Sequence, residues 1–390
     1  MVSVRSTFIF LFLFILILST GAYMYISYNI EGLSLKKMVS GASASYRERA
    51  ADTYLLTETA SSPSPSSVDT KGRETWENLT EAETEQSRRI TMLNAYCARN
   101  FPKGASKPSR NNHIFIFDKI KTVYCYIPKT GCTTMKLLLY NLEHNETEKL
   151  SWGFRKVDWL PSDDKSNRTS GERDVEWIHR QKFKSLEDYS EEEVSLRLAT
   201  YKKIIVVRDP LERLASAWFD KFVITPERVG EYAFVNRMRR GLDSLEDRTL
   251  IDELSKINEE RTDNDPKRVS FREFLFAVSH RKVESQHWLS FDRLCTPCKI
   301  DYDFVAHTDT IASDIRLFLK QNNITANEDV LPKHQSRNVN NGNVFKDFYG
   351  RVPIDEILPL QKVFQKDFDM FGYSFEEDLA KRNENHLVGS

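Results

Sequence analysis

The chain has 390 residues, a formal net charge of −1, 40% hydrophobic and 29% charged residues. That is enough for one large α/β domain with accessory segments. The near-neutral balance argues against a dedicated nucleic-acid binder, so any acidic polymer would have to be met by a local basic patch.

No residue between Arg5 and Glu31 is charged, and 7–28 is long and apolar enough to span a bilayer. A signal-anchor behind a tail at 1–6 is one reading. A cleaved signal peptide, with its core at 8–18 and small residues at 19–22, is the other. The uncharged stretch runs on through Tyr23-Met24-Tyr25-Ile26, which favours the anchor. Arg5 lies before the span and Lys36 and Lys37 just after it, so charge gives a poor orientation signal. Residues 29–96 read as a stem. SSPSPSS at 61–67 is low-complexity, and the mixed charges of 73–89 permit a helix. Asn78, Asn145, Asn167 and Asn323 each begin an Asn-x-Ser/Thr triplet, a glycosylation acceptor pattern.

The folded domain is expected over 97–378, with a tail at 379–390. HIFIF at 113–117 is a candidate strand. TVYCYIPKTGCTTMKLLL at 122–139 changes from an apolar β-rich run to a helical pattern from Thr134, broken at Pro128 and Gly131. A strand–loop–helix junction gathers unpaired backbone N–H groups at the positive end of the helix dipole and favours an anion. Lys129, Thr130, Thr133 and Thr134 add a cation and three hydroxyls. The pattern is not a Walker A loop, because the lysine precedes the only glycine. Residues 151–172 read as a loop and 190–201 as a helix.

YKKIIVVRDPLERLASAWFDKF at 201–222 is the second anchor. Ile204 to Val207 suit a strand buried on both faces. Asp209 fits an N-cap, Pro210 the first helical position, and Glu212 the returning arm of a capping box. Arg208 then sits at a strand end and Ser216 about two turns into the helix. Residues 246–268 read as a solvated helix and loop, and FREFLFAV at 271–278 as an amphipathic helix. A closing helix at 354–371 should bury Ile357, Leu358, Leu360, Val363, Phe364, Phe368 and Phe371. Strands alternating with helices imply a parallel sheet covered on both faces, with ligands at the strand carboxyl ends.

Of the five cysteines, Cys295 and Cys298 form a lone CxxC with no second pair to complete a zinc site. Structural pairing is the better reading, with Cys97 as a partner, while Cys125 and Cys132 read as packed thiols. Arg237-Met238-Arg239-Arg240 and Arg281-Lys282 are candidate basic patches, though each taken singly reads first as a solvated face.

PKTGCTT resembles the 5′-phosphosulfate loop of sulfotransferases, and VRDPLERLASAW their 3′-phosphate segment. With HWLSFDRLCTPCKIDYDFV (287–305) and DFDMFGYSF (367–375), the four motifs resemble in order the Golgi carbohydrate sulfotransferases of the HNK-1 and chondroitin/dermatan 4-O group, sulfotransferase family 2. Thr134-Met135 departs from the Asn-Trp that relatives commonly carry. The resemblance implies a P-loop-like fold, a type II Golgi membrane protein with a luminal domain, and 3′-phosphoadenosine 5′-phosphosulfate as donor with no metal. It implies that Pro128, Lys129, Thr130, Gly131, Cys132, Thr133 and Thr134 hold the 5′ end, and that Arg208 and Ser216 hold the 3′-phosphate. Lys129 would neutralise the leaving oxygen and His179, or alternatively His287, would act as base. The acceptor would be a glycan or proteoglycan. Two rivals are a kinase-like nucleotide enzyme and an inert membrane glycoprotein.

Overall fold

The computed structural model describes residues 74–101, 112–151, 173–225, 232–259, 268–328, 331 and 344–382. The expected anchor at 7–28, the low-complexity part of the stem, the sequon at Asn167 and most of the 151–172 loop lie outside them. Among the described residues no helix is long and apolar enough to cross a membrane.

The elements run α1 (Glu74–Asn100), β1 (Ile114–Phe117), β2 (Thr122–Cys125), α2 (Cys132–His144), β3 (Leu150–Ser151), β4 (Arg173–Asp174), α3 (Val175–Arg180), α4 (Glu191–Thr200) and β5 (Lys202–Val207). Then come α5 (Pro210–Trp218), a π-helical turn (Phe219–Ile224), α6 (Ala233–Asp243), α7 (Arg248–Glu259), α8 (Phe271–Ser279), α9 (Phe291–Cys295), β6 (Phe304–His307) and α10 (Ile311–Gln321). A second π-helical turn (Phe345–Tyr349), α11 (Ile354–Phe371) and α12 (Phe375–Lys381) follow.

The main sheet has four strands in the order β1-β2-β5-β6. It is mixed rather than wholly parallel: β1 runs antiparallel to β2, while β2, β5 and β6 are parallel. The register pairs Tyr124 with Ile204 and Val207 with His307. Because side chains alternate across a strand, Val123, Cys125, Ile205, Val207 and Val305 pack with Leu93 of α1, Phe291 of α9 and Phe371 of α11. Tyr124, Ile204, Val206 and Phe304 pack on the other face with Met135 and Leu138 of α2 and Phe318 of α10. This double burial explains the unbroken apolar run in β5. A second core, remote from the sheet, joins α5, α6, α8 and α11.

Three expectations need correction. The stem boundary at residue 96 is too late, because α1 is docked onto the domain. Arg89 Nη1 is 2.7 Å from Asp314 Oδ2 and donates to Val305 O at 3.2 Å. Helix α8 is buried on nearly all sides rather than amphipathic, and Glu273 is buried because it closes a capping box with Ser270 and takes an ion pair from Arg239. In α11, Leu358 is 45% exposed. Its place on the helix faces solvent, while Asp367 and Met370 turn inward.

The cysteines also differ from expectation. Cys97 pairs with Cys298, but Cys125 pairs with Cys295 instead of lying as a packed thiol. Cys132 is free and buried. The two bridges fasten residues 295–298 to α1 and to the end of β2.

Candidate functional site

The lysine loop leaves β2 and turns into α2 through two left-handed residues, Lys129 (φ 74°) and Gly131 (φ 79°). A Cβ at Gly131 would be strained at that φ and would meet Ile311 Cδ1 at 3.0 Å. Lys129 has a Cβ and bears the strain, which such residues do chiefly where the surroundings and function demand it. Gly131 offers no side-chain cap, so no cap oxygen occupies the first-turn amides of α2. These amides are the fit of the loop for an anion. Thr130 is fully buried and its hydroxyl donates to Ile127 O at 3.0 Å, bracing the turn from inside. It therefore supports the loop by its side chain rather than offering a free hydroxyl. In α2 itself, Met135 is a core residue.

Lys129 Nζ lies 3.3 Å from Asp220 Oδ2, which Lys221 Nζ meets at 3.1 Å. Burial lowers the Lys129 pKa and Asp220 opposes that shift. Burial acts to raise Asp220, but Lys129 and Lys221 outweigh it and hold the carboxylate below its usual range. Asp220 and Lys221 stand in the π-helical turn that prolongs α5; such turns recur at functional sites.

The parallel register brings the end of β5 beside the end of β2. Arg208 Nη1 therefore reaches Lys129 O at 3.4 Å. Asp209 caps α5 as expected, accepting from the backbone N–H of Leu211 and Glu212, with Pro210 in the first turn. Glu212 does not close a capping box: its carboxylate accepts from Arg208 Nε and Nη2, both at 3.1 Å. Ser216 lies two turns on, half-buried.

Arg213, one turn after Asp209, is fully buried. Its guanidinium donates to Pro128 O at 3.0 Å, Leu289 O at 2.7 Å and Gln286 O at 3.0 Å. It thus ties the lysine loop to the 286–289 segment that carries His287. Burial lowers Arg213 to about 10, against which Asp367 acts, so it stays charged.

Both candidate histidines reach this region. His179 ends α3 with Nε2 3.0 Å from Thr133 Oγ1. Partial burial and the charge of Lys136 push it below the usual histidine range, although its residue stands on an open face. His287 has Nδ1 3.1 Å from Ser285 Oγ and meets the Phe234 ring edge-on. Burial, then Lys221, push it down to about 3, with Asp220 opposing. His179 is the one bonded to the loop itself.

Sequence reasoning missed Asp220, Lys221 and Arg213. The signal was a charged pair set inside the aromatic run Trp218-Phe219-Asp220-Lys221-Phe222. The basic candidates separate: Arg239 is paired with Glu273 and donates to Arg268 O, whereas Arg237, Arg240, Arg281 and Lys282 are exposed. Among the described residues no group of His, Cys, Asp and Glu is placed to hold a metal. A cleft of about 750 Å³ lies at the opposite end of the sheet, where Lys121 precedes β2 and Lys202 opens β5, and Asn145 and Asn323 line it. Three helices, α2, α4 and α10, end there, so its lysines sit where helix carbonyl ends call for cations. The lysine loop is not among its lining residues.

A family model described as "Sulfotransferase family" matches residues 112–374. Carbohydrate sulfotransferase 12 of Xenopus laevis is 26% identical over 305 residues, covering 76% of this chain and 70% of that protein. Carbohydrate sulfotransferase 10 of Homo sapiens is 27% identical over 271 residues, covering 67% of each. Carbohydrate sulfotransferase 8 of Mus musculus is 28% identical over 267 residues, covering 67% of this chain and 55% of that protein. No solved structure matches the chain.

Proposed function

This chain belongs to the sulfotransferase family, and from that premise we propose that it moves the sulfuryl group of 3′-phosphoadenosine 5′-phosphosulfate to a glycan hydroxyl. The observation that carries the reading is the convergence of the lysine loop, Arg208 and His179 at the carboxyl ends of β2 and β5.

The acceptor oxygen attacks sulfur in line while the bond from sulfur to the 5′-phosphate oxygen breaks. The acceptor proton passes to His179 Nε2, and 3′,5′-bisphosphate departs. Lys129 offsets charge growing on the leaving oxygen, and the open amides of 131–134 hold the phosphate that carries it. The neutral state of His179, pressed down by burial and Lys136, suits proton acceptance. Arg208 and Ser216 take the 3′-phosphate. The names of the relatives support a carbohydrate acceptor. We favour the 4-hydroxyl of GalNAc in chondroitin or dermatan, or a related terminal sugar, with exposed Arg237 and Arg240 available to an anionic chain.

Two disulfides fit an oxidising compartment. Together with the apolar 7–28 segment they support a type II Golgi protein with a luminal domain. Asn145 and Asn323, exposed and left-handed at the far end of the sheet from the lysine loop, are glycosylation sites that would leave the catalytic face open.

Arg208→Ala tests the donor assignment. Loss of a charge-assisted contact worth about 1.5–3 kcal/mol should weaken 3′,5′-bisphosphate binding by about 10- to 100-fold. Binding of adenosine 5′-phosphosulfate, which lacks the 3′-phosphate, should change less than threefold or so on the same scale. Equal losses for both ligands in calorimetry would overturn the assignment.

A further inference from the structure

Lys136 lies one turn beyond Thr133 in α2, is 6% exposed, and makes no ion pair among the described residues. Its Nζ stands 3.8 Å from the centre of the Tyr126 ring, with Phe115 at 5.3 Å and Phe183 at 5.5 Å. The imidazole of His113 stacks on Tyr126 at 5.5 Å. Ring faces attract a cation and return part of its lost hydration. They do not cancel its charge. A cation buried without a counter-ion is costly to a fold, and such placements concentrate where a neighbouring group is being tuned.

The neighbour is His179. Residues three apart share a helix face, so Lys136 stands beneath Thr133, whose Oγ1 is 3.0 Å from His179 Nε2. The charged groups that face His179 are Lys136 from α2, Asp220 and Lys221 from the π-helical turn, and Glu176 from its own helix. Asp220 is shared between Lys221 at 3.1 Å and Lys129 at 3.3 Å, so the charge of Lys221 is partly offset by a carboxylate in contact with it. Glu176 is exposed and screened by water. Lys136 alone of these combines deep burial with an uncompensated charge.

We propose that Lys136 is a positioning residue for sulfuryl transfer, its caged charge keeping the His179 ring neutral so that Nε2 accepts a proton. With the ring neutral, the Thr133 hydroxyl donates to Nε2, which fixes the remaining ring proton on Nδ1 and aims the basic nitrogen at the lysine loop. On acceptor binding, the sugar hydroxyl takes the place of Thr133 as the donor. This rests on the reading of His179 as base.

The test is Lys136→Met, which keeps length and removes charge, with Lys136→Arg as the conservative partner. His179 is followed by NMR titration of its ring in the folded protein, and kcat/KM is measured across pH. In the Met variant the His179 midpoint should rise by about 0.5–1 unit, and the acidic limb should move to higher pH by the same amount. That lowers kcat/KM about 3- to 10-fold on the limb and leaves the alkaline plateau in place. The Arg variant should restore both. Tyr126→Leu, which opens the cage to water and screens the charge, should shift the midpoint in the same direction by less. A folded Met variant with an unmoved His179 midpoint overturns the proposal, as does a Tyr126→Leu shift of opposite sign. If the midpoint moves while His179→Ala retains the acidic limb, the tuning stands and the assignment of His179 as base falls.

Discussion

Replacing Arg213 by lysine tests how the site is held together. The wild-type guanidinium serves three carbonyls, Pro128 O at 3.0 Å, Leu289 O at 2.7 Å and Gln286 O at 3.0 Å. Hydrogen bonds to a charged group contribute about 1.5–3 kcal/mol each. A lysine ammonium keeps the charge but is a single point on a flexible stem, so it cannot span three acceptors from two segments as the planar fork does. One or two buried carbonyls are left unmet, and the expected loss of stability is about 2–4 kcal/mol. Lys129 follows Pro128 directly, so loosening that carbonyl displaces the ammonium to which the proposal assigns the leaving oxygen. A misplacement of about 1 Å can cost about 100-fold in rate. Single-turnover sulfuryl transfer should therefore slow about 10- to 100-fold, while 3′,5′-bisphosphate affinity, which the proposal assigns to Arg208 and the loop amides, should change less than about threefold. Denaturant unfolding, rapid-quench transfer and calorimetry read the three quantities. A variant within about 0.5 kcal/mol of wild-type stability and at full transfer rate would refute the argument, since this is the spread of inert surface changes.

The bridges predict a thiol count: of five cysteines only Cys132 should be alkylated in denaturant without reductant, and mass spectrometry finding more than one labelled site contradicts the pairing. Replacing Cys125 and Cys295 together by alanine should lower unfolding free energy by about 2–4 kcal/mol, the usual effect of losing a long-range bridge; an unchanged denaturant midpoint would contradict that. His307 is buried and pushed by burial, then by Arg89, down to about 3. Its folded state holds fewer protons than the unfolded chain below about pH 6.5, so its contribution is full above that pH and is lost as pH falls toward 3. His307→Phe should flatten the fall in stability between pH 6.5 and 5 by about 1–2 kcal/mol, and a parallel pH profile would exclude the effect.

Much of the frame is legible in the sequence, and the reason differs by element. β5 reads clearly because both of its faces are buried, which leaves an apolar run with no alternation. The loop reads clearly because a positive φ at Gly131 and a break at Pro128 punctuate two periodic segments. Other features depend on partners far along the chain. The docking of α1 turns on Arg89, whose counter-ion Asp314 is 225 residues away, so a polar helix looked like stem. Cys125 looked like packing because its partner lies 170 residues on. The capping-box pattern at Asp209 and Glu212 is locally correct, yet Arg208 offers Glu212 a charged partner and prevails over a backbone N–H. Asp220 was invisible because nothing in its own segment says that the π-helical turn will face Lys129.

The central claim is sulfuryl transfer through Lys129. The protein is incubated with donor labelled in sulfur and a panel of glycans that includes chondroitin and dermatan, followed by disaccharide analysis. Wild-type protein should label a glycan hydroxyl, and Lys129→Ala should lose about 100-fold or more in kcat while binding 3′,5′-bisphosphate nearly as wild type does. An alanine variant that transfers label at the wild-type rate, or a wild-type protein that binds donor and labels no glycan in the panel, would contradict the account.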